Sequence, residues 1–261
     1  MISTNIESPV ETIAIPAMFR GPPHSGNGGY LAGVFANLLT LGRHDLPKHS
    51  AVEVTLRAPT PLDKTLSVHR DGESLAIRDA EVLVANAVLT TLQIDVPIPA
   101  SWDEALAVRE QSYSLPIALH PHFGEQRRGA HPICFCCGAE LAPTQGLHVY
   151  SAPVPHKHQV AAAWTANECF ADETGFVKSE YVWTALDCPG QMAWRAEGTR
   201  TGMLGRLTAH IEKPIRARER CVVIGWTMGN EGRKYFAGTA LFNEANELCA
   251  YAKAVWIGTG V

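Results

Sequence analysis

The stretch GGYLAGVFANLLTL, residues 28–41, contains no charged side chain. An ordinary surface helix carries one apolar stripe, so a helix that is apolar on every side must be enclosed by other elements. The residues that follow can enclose it. Over 51–57, Val52, Val54 and Leu56 alternate with polar residues, which is typical of a half-buried antiparallel strand. The sequence therefore predicts one antiparallel sheet curled around one buried helix.

The second half of the chain repeats this plan. A second apolar helix is predicted over 178–196, KSEYVWTALDCPGQMAWRA. Four strand-like runs follow each helix, at 51–57, 65–69, 76–84 and 87–94 and again at 204–212, 221–228, 234–242 and 248–257. Such a repeated order indicates an internal duplication, and it changes the expected fold.

Short connecting motifs repeat as well. LRAP at 56–59 corresponds to IEKP at 211–214, and RDG at 70–72 corresponds to NEG at 230–232 as a hairpin turn. The alternative architecture is a doubly wound parallel sheet, in which strands alternate with helices. Four strands in succession after each helix argue against it.

The chain has 261 residues, enough for two domains that each bury a core. Residues 114–130, SLPIALHPHFGEQRRGA, lack periodicity and gather proline, glycine and charge, as linkers do. We therefore expect a first domain over 1–115, a linker over 116–130 and a second domain over 131–261.

Composition and charge exclude several classes of protein. The net charge of −4 and a pI near 6.3 argue against nucleic-acid binding. No run of ~18 apolar residues could span a bilayer, and the N-terminus lacks the basic and apolar regions of a secretory signal. Seven cysteines, an odd number, then suggest reduced thiols. We expect a cytoplasmic protein with no nucleic-acid partner and no membrane span.

The order helix, four strands, linker, helix, four strands resembles the double-hotdog acyl-CoA thioesterases. HSGNGGY at 24–30 resembles the Gly-Gly helix start that those proteins place against the thioester. CFCCG at 134–138, followed by Gly146 and Leu147, resembles the opening segment of phenylacetate-type hotdog thioesterases, and ALD at 185–187 resembles their mid-helix acid. The resemblance spans nearly the whole chain. It implies an α+β double hotdog, with two antiparallel sheets that are joined edge to edge and each wrapped around a long buried helix.

The pair Gly28 and Gly29 is the first candidate for chemistry. The first N–H groups of a helix lack intrahelical partners and carry partial positive charge, and glycine lets a carbonyl group approach closely. Such a start can stabilise an oxyanion. Asn27 is a suitable N-cap, and we expect Asn27, His24 and Tyr30 to bind substrate beside it. The alternative is that the glycines only allow close helix–sheet packing.

Asp187 is the candidate acid. It stands among Trp183, Leu186 and Met192, and a carboxylate in such surroundings requires a partner. Burial would raise its pKa, and acids with perturbed pKa values cluster at functional sites. Pro189 has no N–H, which predicts a kink or break of the helix just after the acid. The alternative role for Asp187 is to cap the broken helix.

The two halves differ at matching positions. Eight residues after Gly29 stands Asn37, whereas eight residues after Ser179 stands Asp187. The first half therefore keeps the glycines and the second keeps the acid. In the resembling homodimers, the glycine start and the acid of one site come from opposite subunits. A fused chain would then hold one complete site, Gly28 and Gly29 facing Asp187, and one degenerate site.

Thr208 resembles in position the hydroxyl residue of the type II acyl-CoA thioesterases, although threonine is common in strands for other reasons. The resemblance implies that Gly28 and Gly29 polarise a thioester carbonyl, that Asp187 is general base or nucleophile, and that Thr208 orients water. That family also uses a glutamine on its last strand, and LCAYAKAVWI at 248–257 contains none. This departure leaves two alternatives open: the water is held differently, or hydrolysis is weak or absent.

The cysteines Cys134, Cys136 and Cys137 form a single cluster in the sequence. Structural zinc normally takes four ligands, typically as two spaced pairs, and the other cysteines stand isolated in helix- or strand-like contexts. The sequence therefore favours buried cysteines beside a turn, and neither a metal nor a cofactor is expected.

The expected partner is acyl-CoA or another acyl thioester. A non-catalytic acyl-CoA or lipid-binding module is the main alternative, and the missing glutamine favours it. A hotdog hydratase would need a catalytic histidine near the helix start, where only His24 stands. Hotdog units commonly associate further, which leaves a homodimer or a higher oligomer open.

Overall fold

The structure, a computed structural model, describes residues 11–43, 46–47, 50–115 and 132–258. The linker expected over 116–130 lies outside them. The helices are α1 Gly28–Thr40, α2 Trp102–Ala107, α3 Ser179–Ala185 and α4 Cys188–Ala196. The strands are β1 Glu11–Ala14, β2 Ser50–Leu56, β3 Thr65–Asp71, β4 Ser74–Asp79, β5 Val82–Thr91, β6 Ala152–Pro153, β7 Val160–Thr165, β8 Met203–Ile211, β9 Arg220–Glu231, β10 Lys234–Phe242 and β11 Leu248–Ile257.

These strands form one antiparallel sheet in the order β1-β3-β4-β5-β2-β8-β11-β10-β9-β7-β6. Read outward from the centre, one side runs β2, β5, β4, β3, β1 and the other runs β8, β11, β10, β9, β7. Each strand of the first half therefore has a counterpart in the second half, and only β6 has none. This matched order is the structural form of the duplication in the sequence.

Two sheets joined edge to edge were expected, and the described residues form one continuous sheet in which the strands of the two halves meet. The strands β2 and β8 each follow the main helix of their half, and they pair with each other, with Val52 opposite Ala209 and Val54 opposite Leu207. Since β2 and β8 would otherwise be exposed edges, their pairing removes two rows of unsatisfied backbone groups. The central junction also brings the helices of the two halves together.

Helix α1 lies inside the molecule, as its uncharged sequence predicts. Leu31, Phe35 and Leu39 are buried in the main core. The helix begins where the N-cap was expected, because Asn27 Oδ1 accepts the backbone N–H of Tyr30 at 2.9 Å.

The second predicted helix, 178–196, is not one long helix but the two helices α3 and α4. The chain leaves α3 at Leu186, because the ring of Pro189 would clash with the carbonyl four residues earlier in a continuous helix. Pro189 lies in the first turn of α4, where a missing N–H costs little. The carbonyl of Leu186 accepts a hydrogen bond from Thr239 Oγ1 at 2.8 Å instead.

The strands agree with the sequence more closely in the second half than in the first. Residues 76–84 were expected as one strand, but Ala80 has φ 50° and turns the chain between β4 and β5. Both expected hairpin turns are present, with Gly72 at φ +55° and Gly232 at φ +54°. The sequence reasoning missed β1, β6, β7 and α2. None of the described helices has the length and apolarity needed to cross a bilayer.

Candidate functional site

The carboxylate of Asp187 lies at the start of α1, although it belongs to the other half of the chain. The residue is 2% exposed. Its Oδ2 accepts two hydrogen bonds of 2.9 Å, one from the backbone N–H of Gly29 and one from Nδ2 of Asn27. The start of a helix stabilises an anion through its unpaired N–H groups and its partial positive charge. The structure thus brings together the acid and the glycine start that the sequence singled out.

Gly29 allows this approach because it has no side chain. A Cβ atom at Gly29 would lie 2.6 Å from Cβ of Asp187 and 2.8 Å from the carbonyl oxygen of Trp183. One turn later, a Cβ at Gly33 would lie 2.6 Å from Cα of Glu180. Both glycines therefore let α1 cross α3 closely. The N–H of Gly29 is bound to Asp187, so it is not available to a substrate.

Asp187 occupies the N-cap position of α4, but its side chain does not cap that helix. The capping role that the sequence left open is therefore absent. Its second oxygen, Oδ1, is buried and has no hydrogen-bond partner among the described residues. Burial raises the pKa of Asp187 to about 7, the nearby Cys134 adds to the rise, and the hydrogen bonds from Gly29 and Asn27 oppose it.

A cavity of about 180 Å³ opens beside Asp187, between the start of α1 and the junction of β2 and β8. Much of its wall is apolar. Its larger apolar side chains are Leu31, Leu56, Met203, Leu204, Trp256 and Ile257. An apolar wall with a few polar atoms is the usual character of a small-molecule site.

The polar atoms in this wall lack partners. Besides Asp187 Oδ1, the buried atoms Ser25 Oγ, Thr60 Oγ1 and Trp256 Nε1 have none among the described residues, and all four residues line the cavity. Buried polar groups without partners cost free energy. Four of them around one cavity indicate that water or a polar ligand group completes the site.

Gln191 also lines the cavity, and the sequence reasoning missed it. It lies on α4 and is 5% exposed. Its Nε2 donates to the carbonyl of Gly202 at 2.9 Å, while its Oε1 accepts no hydrogen bond from the described residues. Gln191 follows Asp187 by four residues, the spacing that places two side chains on the same face of a helix. That spacing is the signal that could have identified it.

The other predicted site residues divide into two groups. Gly28 lines the cavity, and its N–H donates to no described residue. His24 is exposed and does not line the cavity, although the neighbouring Ser25 does. Tyr30 points into the core, where its ring stacks on Phe19 with centroids 3.9 Å apart.

Thr208 is not brought to the cavity either. Its Oγ1 donates to Glu53 Oε2 at 3.4 Å. Side chains alternate between the two faces of a strand, and the preceding residue, Leu207, is buried in the main core. Thr208 therefore lies on the opposite face of β8, together with Arg206, which also donates to Glu53.

The matching contact, at the start of α3, has the amide of Asn37 in place of an acid. Ser179, at the start of α3, donates through Oγ to Asn37 Oδ1 at 2.6 Å. Nδ2 of Asn37 donates to Glu180 Oε2 at 3.0 Å. The amide of Asn37 on α1 thus meets the start of α3, as the carboxylate of Asp187 meets Gly29. Here the carboxylate, Glu180, belongs to the first turn of the helix that is met. This is the position at which the sequence predicts the degenerate site.

The cysteine cluster is larger than the sequence suggested. Cys188, which the sequence reasoning treated as isolated, lies with its sulfur 3.8 Å from that of Cys134. The sulfur atoms of Cys134, Cys137 and Cys188 all lie within 4.8 Å of one another. Asn27 Nδ2 also approaches Cys134 Sγ at 3.6 Å. Asn27 therefore connects the cysteines to the carboxylate of Asp187.

No model of a known protein family matches the sequence, and no curated protein does. Solved structures do match. A tesB protein from Mycobacterium avium subspecies paratuberculosis is 11% identical, with a TM-score of 0.59 over 94% of this chain and 91% of that chain. A protein of unknown function with a hot dog fold from Alicyclobacillus acidocaldarius is 9% identical, with a TM-score of 0.51 over 96% and 93%. Over nearly its whole length, this chain therefore has the hotdog fold that these structures share.

Proposed function

We propose that the chain is a double hotdog that hydrolyses an acyl thioester, acyl-CoA or an acyl carrier, to free acid and thiol at the site between its halves. The observation that carries the proposal is the carboxylate of Asp187. It is buried, it is bound to the start of α1 through Oδ2, and its Oδ1 has no partner among the described residues at the wall of an apolar cavity. Such a wall suits an acyl chain, and such an oxygen suits a water molecule.

In the proposed reaction, Gly28 and Gly29 have different roles. Gly29 holds Asp187, whereas Gly28 presents its N–H to the cavity. That N–H donates to the thioester carbonyl oxygen, and the partial positive charge of the helix start stabilises the oxyanion as it forms. A Cβ at position 28 would lie 2.7 Å from Cδ2 of Leu204 in the cavity wall, so a larger residue there requires the Leu204 side chain to move.

Water is the nucleophile in this proposal. Asp187 Oδ1 and Gln191 Oε1 hold it from two sides, and Asp187 takes its proton as the oxygen attacks the carbonyl carbon. The carbon–sulfur bond then breaks and the proton passes to the sulfur, which leaves a carboxylic acid and a thiol. Gln191 on α4 supplies the amide that the last strand lacks, so the absence of glutamine from β11 does not remove the water site.

The first experiment measures thiol release from short, medium, long and aromatic acyl-CoAs, with binding of each compound measured in parallel. We expect turnover of at least one class. Binding without turnover would instead support the non-catalytic acyl-CoA-binding module. If the protein neither bound nor hydrolysed any of these compounds, the proposal that the cavity takes an acyl-CoA would be overturned. A hydratase is disfavoured because His24 does not line the cavity.

Gln191→Met tests the placement of water. Methionine has a similar volume but cannot hold a water molecule as an amide does. We expect kcat to fall by about 100-fold, the order of loss that misplacement of a reacting group causes.

Thr208→Val is the matched control, because it removes a hydroxyl from the face of β8 that lies away from the cavity. We expect its kcat to stay within about twofold of the wild type. A larger loss in Thr208→Val than in Gln191→Met would contradict the proposed water site and favour the role that the resemblance implied for Thr208.

A further inference from the structure

A cluster of buried thiols lies beside the proposed active site without a role in it. Cys134, Cys136, Cys137 and Cys188 are each at most 6% exposed. Two distant parts of the chain contribute, because Cys188 is the first residue of α4 and the others belong to the segment CFCCG. Cys136 lies beside Cys137 and Cys188, outside the group of three whose sulfur atoms are all within 4.8 Å of one another.

The segment has the backbone form of a metal-binding turn. Cys134 and Cys137 have the C-x-x-C spacing common in zinc sites, and Gly138 follows at once. The N–H of Gly138 donates to the carbonyl of Cys134 at 2.6 Å. A Cβ at Gly138 would lie 2.6 Å from both the backbone nitrogen and the oxygen of Cys134. The turn is therefore so tight that only glycine fits, and it holds the two cysteine side chains on the same side.

The sulfur separations suit a tetrahedral ion. A zinc–sulfur bond of about 2.3 Å puts two ligands of a tetrahedron about 3.8 Å apart. The sulfur atoms of Cys134 and Cys188 are 3.8 Å apart, and Cys137 completes a triangle in which no separation exceeds 4.8 Å. Thiolate ligands favour zinc and other soft metal ions over magnesium or calcium.

Two polar groups beside the cluster can stabilise thiolates bound to a metal. Nδ2 of Asn27 points at Cys134 Sγ, as a donor to a thiolate does. The guanidinium of Arg195 lies near Cys137 and Cys188, and its buried Nε has no hydrogen-bond partner among the described residues. Arg195 is half-buried, and thiolates bound to a metal would compensate its charge.

We propose that Cys134, Cys137 and Cys188 bind one zinc ion, with Cys136 as the fourth sulfur ligand. The ion joins the opening segment of the second half to the start of α4, directly after Asp187. It acts as a structural clamp that holds the acid in place. Its binding does not depend on the proposed thioesterase activity.

The test uses the full chain expressed with added zinc, desalted and analysed for metal by mass spectrometry. We expect about one zinc ion per chain in the wild type, with the metal lost or strongly reduced in Cys137→Ser, Cys188→Ser and Cys136→Ser. Cys221→Ser is the matched control, since Cys221 is equally buried but lies on β9 away from the cluster. It should keep its zinc.

A second measurement needs no variant. After removal of metal with a chelator, the wild type is titrated with Co²⁺, and thiolate ligation gives an intense charge-transfer absorption with tetrahedral d–d bands that saturate at one equivalent. Absence of both bound zinc and this absorption would overturn the proposal. So would equal zinc content in the wild type and all three cluster variants.

Discussion

Asp187→Asn is expected to lower thiol release by about 100-fold or more, because an amide can neither accept the proton of water nor attack the carbonyl. The measurement is kcat/KM for the best acyl-CoA of the panel, with wild type and variant prepared in parallel. Activity that survives the substitution would remove Asp187 from the reaction.

The variant should fold, which makes its activity interpretable. Asparagine has the same shape, and its carbonyl oxygen can accept both hydrogen bonds that Oδ2 accepts from Gly29 and Asn27. Removing a buried charge that lacks a cationic partner also removes a cost of folding. We therefore expect the Tm to stay equal or to rise, the usual sign of a residue kept for activity at the expense of stability.

The duplicated fold supplies a matched control at Asn37. Asn37→Ala removes the counterpart side chain at the other helix start, where it contacts Ser179 and Glu180. The loss of these hydrogen bonds should lower stability by about 1 kcal/mol, while kcat/KM stays within about twofold of the wild type. Equal losses in Asn37→Ala and Asp187→Asn would show that the two sites act together and would contradict one degenerate site.

Much of this site could be predicted from local sequence. The absence of charge over 28–41 indicates an enclosed helix whatever the rest of the chain does, and Asn27 caps it by a local rule. The contrast between Asn37 and Asp187 identifies which half supplies the acid, because the duplication aligns the two helices. The structure then places Asp187 within hydrogen-bond distance of Gly29.

Other parts depend on geometry that no local pattern contains. Alternation along β8 divides its residues between two faces but does not say which face meets the cavity. Thr208 and Leu204 lie on different sides partly because the pairing of β8 with β11 shifts register between Val255 and Trp256. A single irregularity of this kind reverses which side chains face the site.

The position of Cys188 is a similar case. Its contact with Cys134 spans 54 residues and depends on the break between α3 and α4. In a continuous helix, the side chain of Cys188 would point in a different direction from the one that brings it to Cys134. The effect of Pro189 on the helix was predictable, but the direction in which the chain continues was not. From the sequence, Cys134, Cys136 and Cys137 were therefore interpreted as buried cysteines beside a turn. Only the position of Cys188 in the structure makes them a candidate set of metal ligands.

Gly29→Ala is the second change with a large expected effect, and it acts on stability and activity together. The added methyl group would meet Cβ of Asp187 at 2.6 Å, the Trp183 carbonyl oxygen at 2.8 Å and Cα of Thr184 at 2.9 Å. Two of these three atoms belong to the backbone of α3, so no side chain can rotate away. The helices must separate.

The free energy of unfolding should fall by about 1–3 kcal/mol, the usual cost of overpacking a tight core. Alanine's better helix propensity offsets at most about 1 kcal/mol of this. Separation of the helices also lengthens the hydrogen bond from Gly29 to Asp187, which displaces the carboxylate. We expect kcat/KM to fall by about 100-fold. Denaturant unfolding and kinetics on the same preparations measure both effects.

Gly33→Ala separates the two effects. Its methyl group would lie 2.6 Å from Cα of Glu180 and 2.9 Å from Cβ of Trp183, so it strains the same crossing one turn away from Asp187. A similar loss of stability with a much smaller loss of activity would show that the acid must be held at the start of α1 for turnover. If both variants lost activity in proportion to stability, the contact between Gly29 and Asp187 would matter only for packing. If Gly29→Ala were as stable as the wild type, the helices would not cross at this distance.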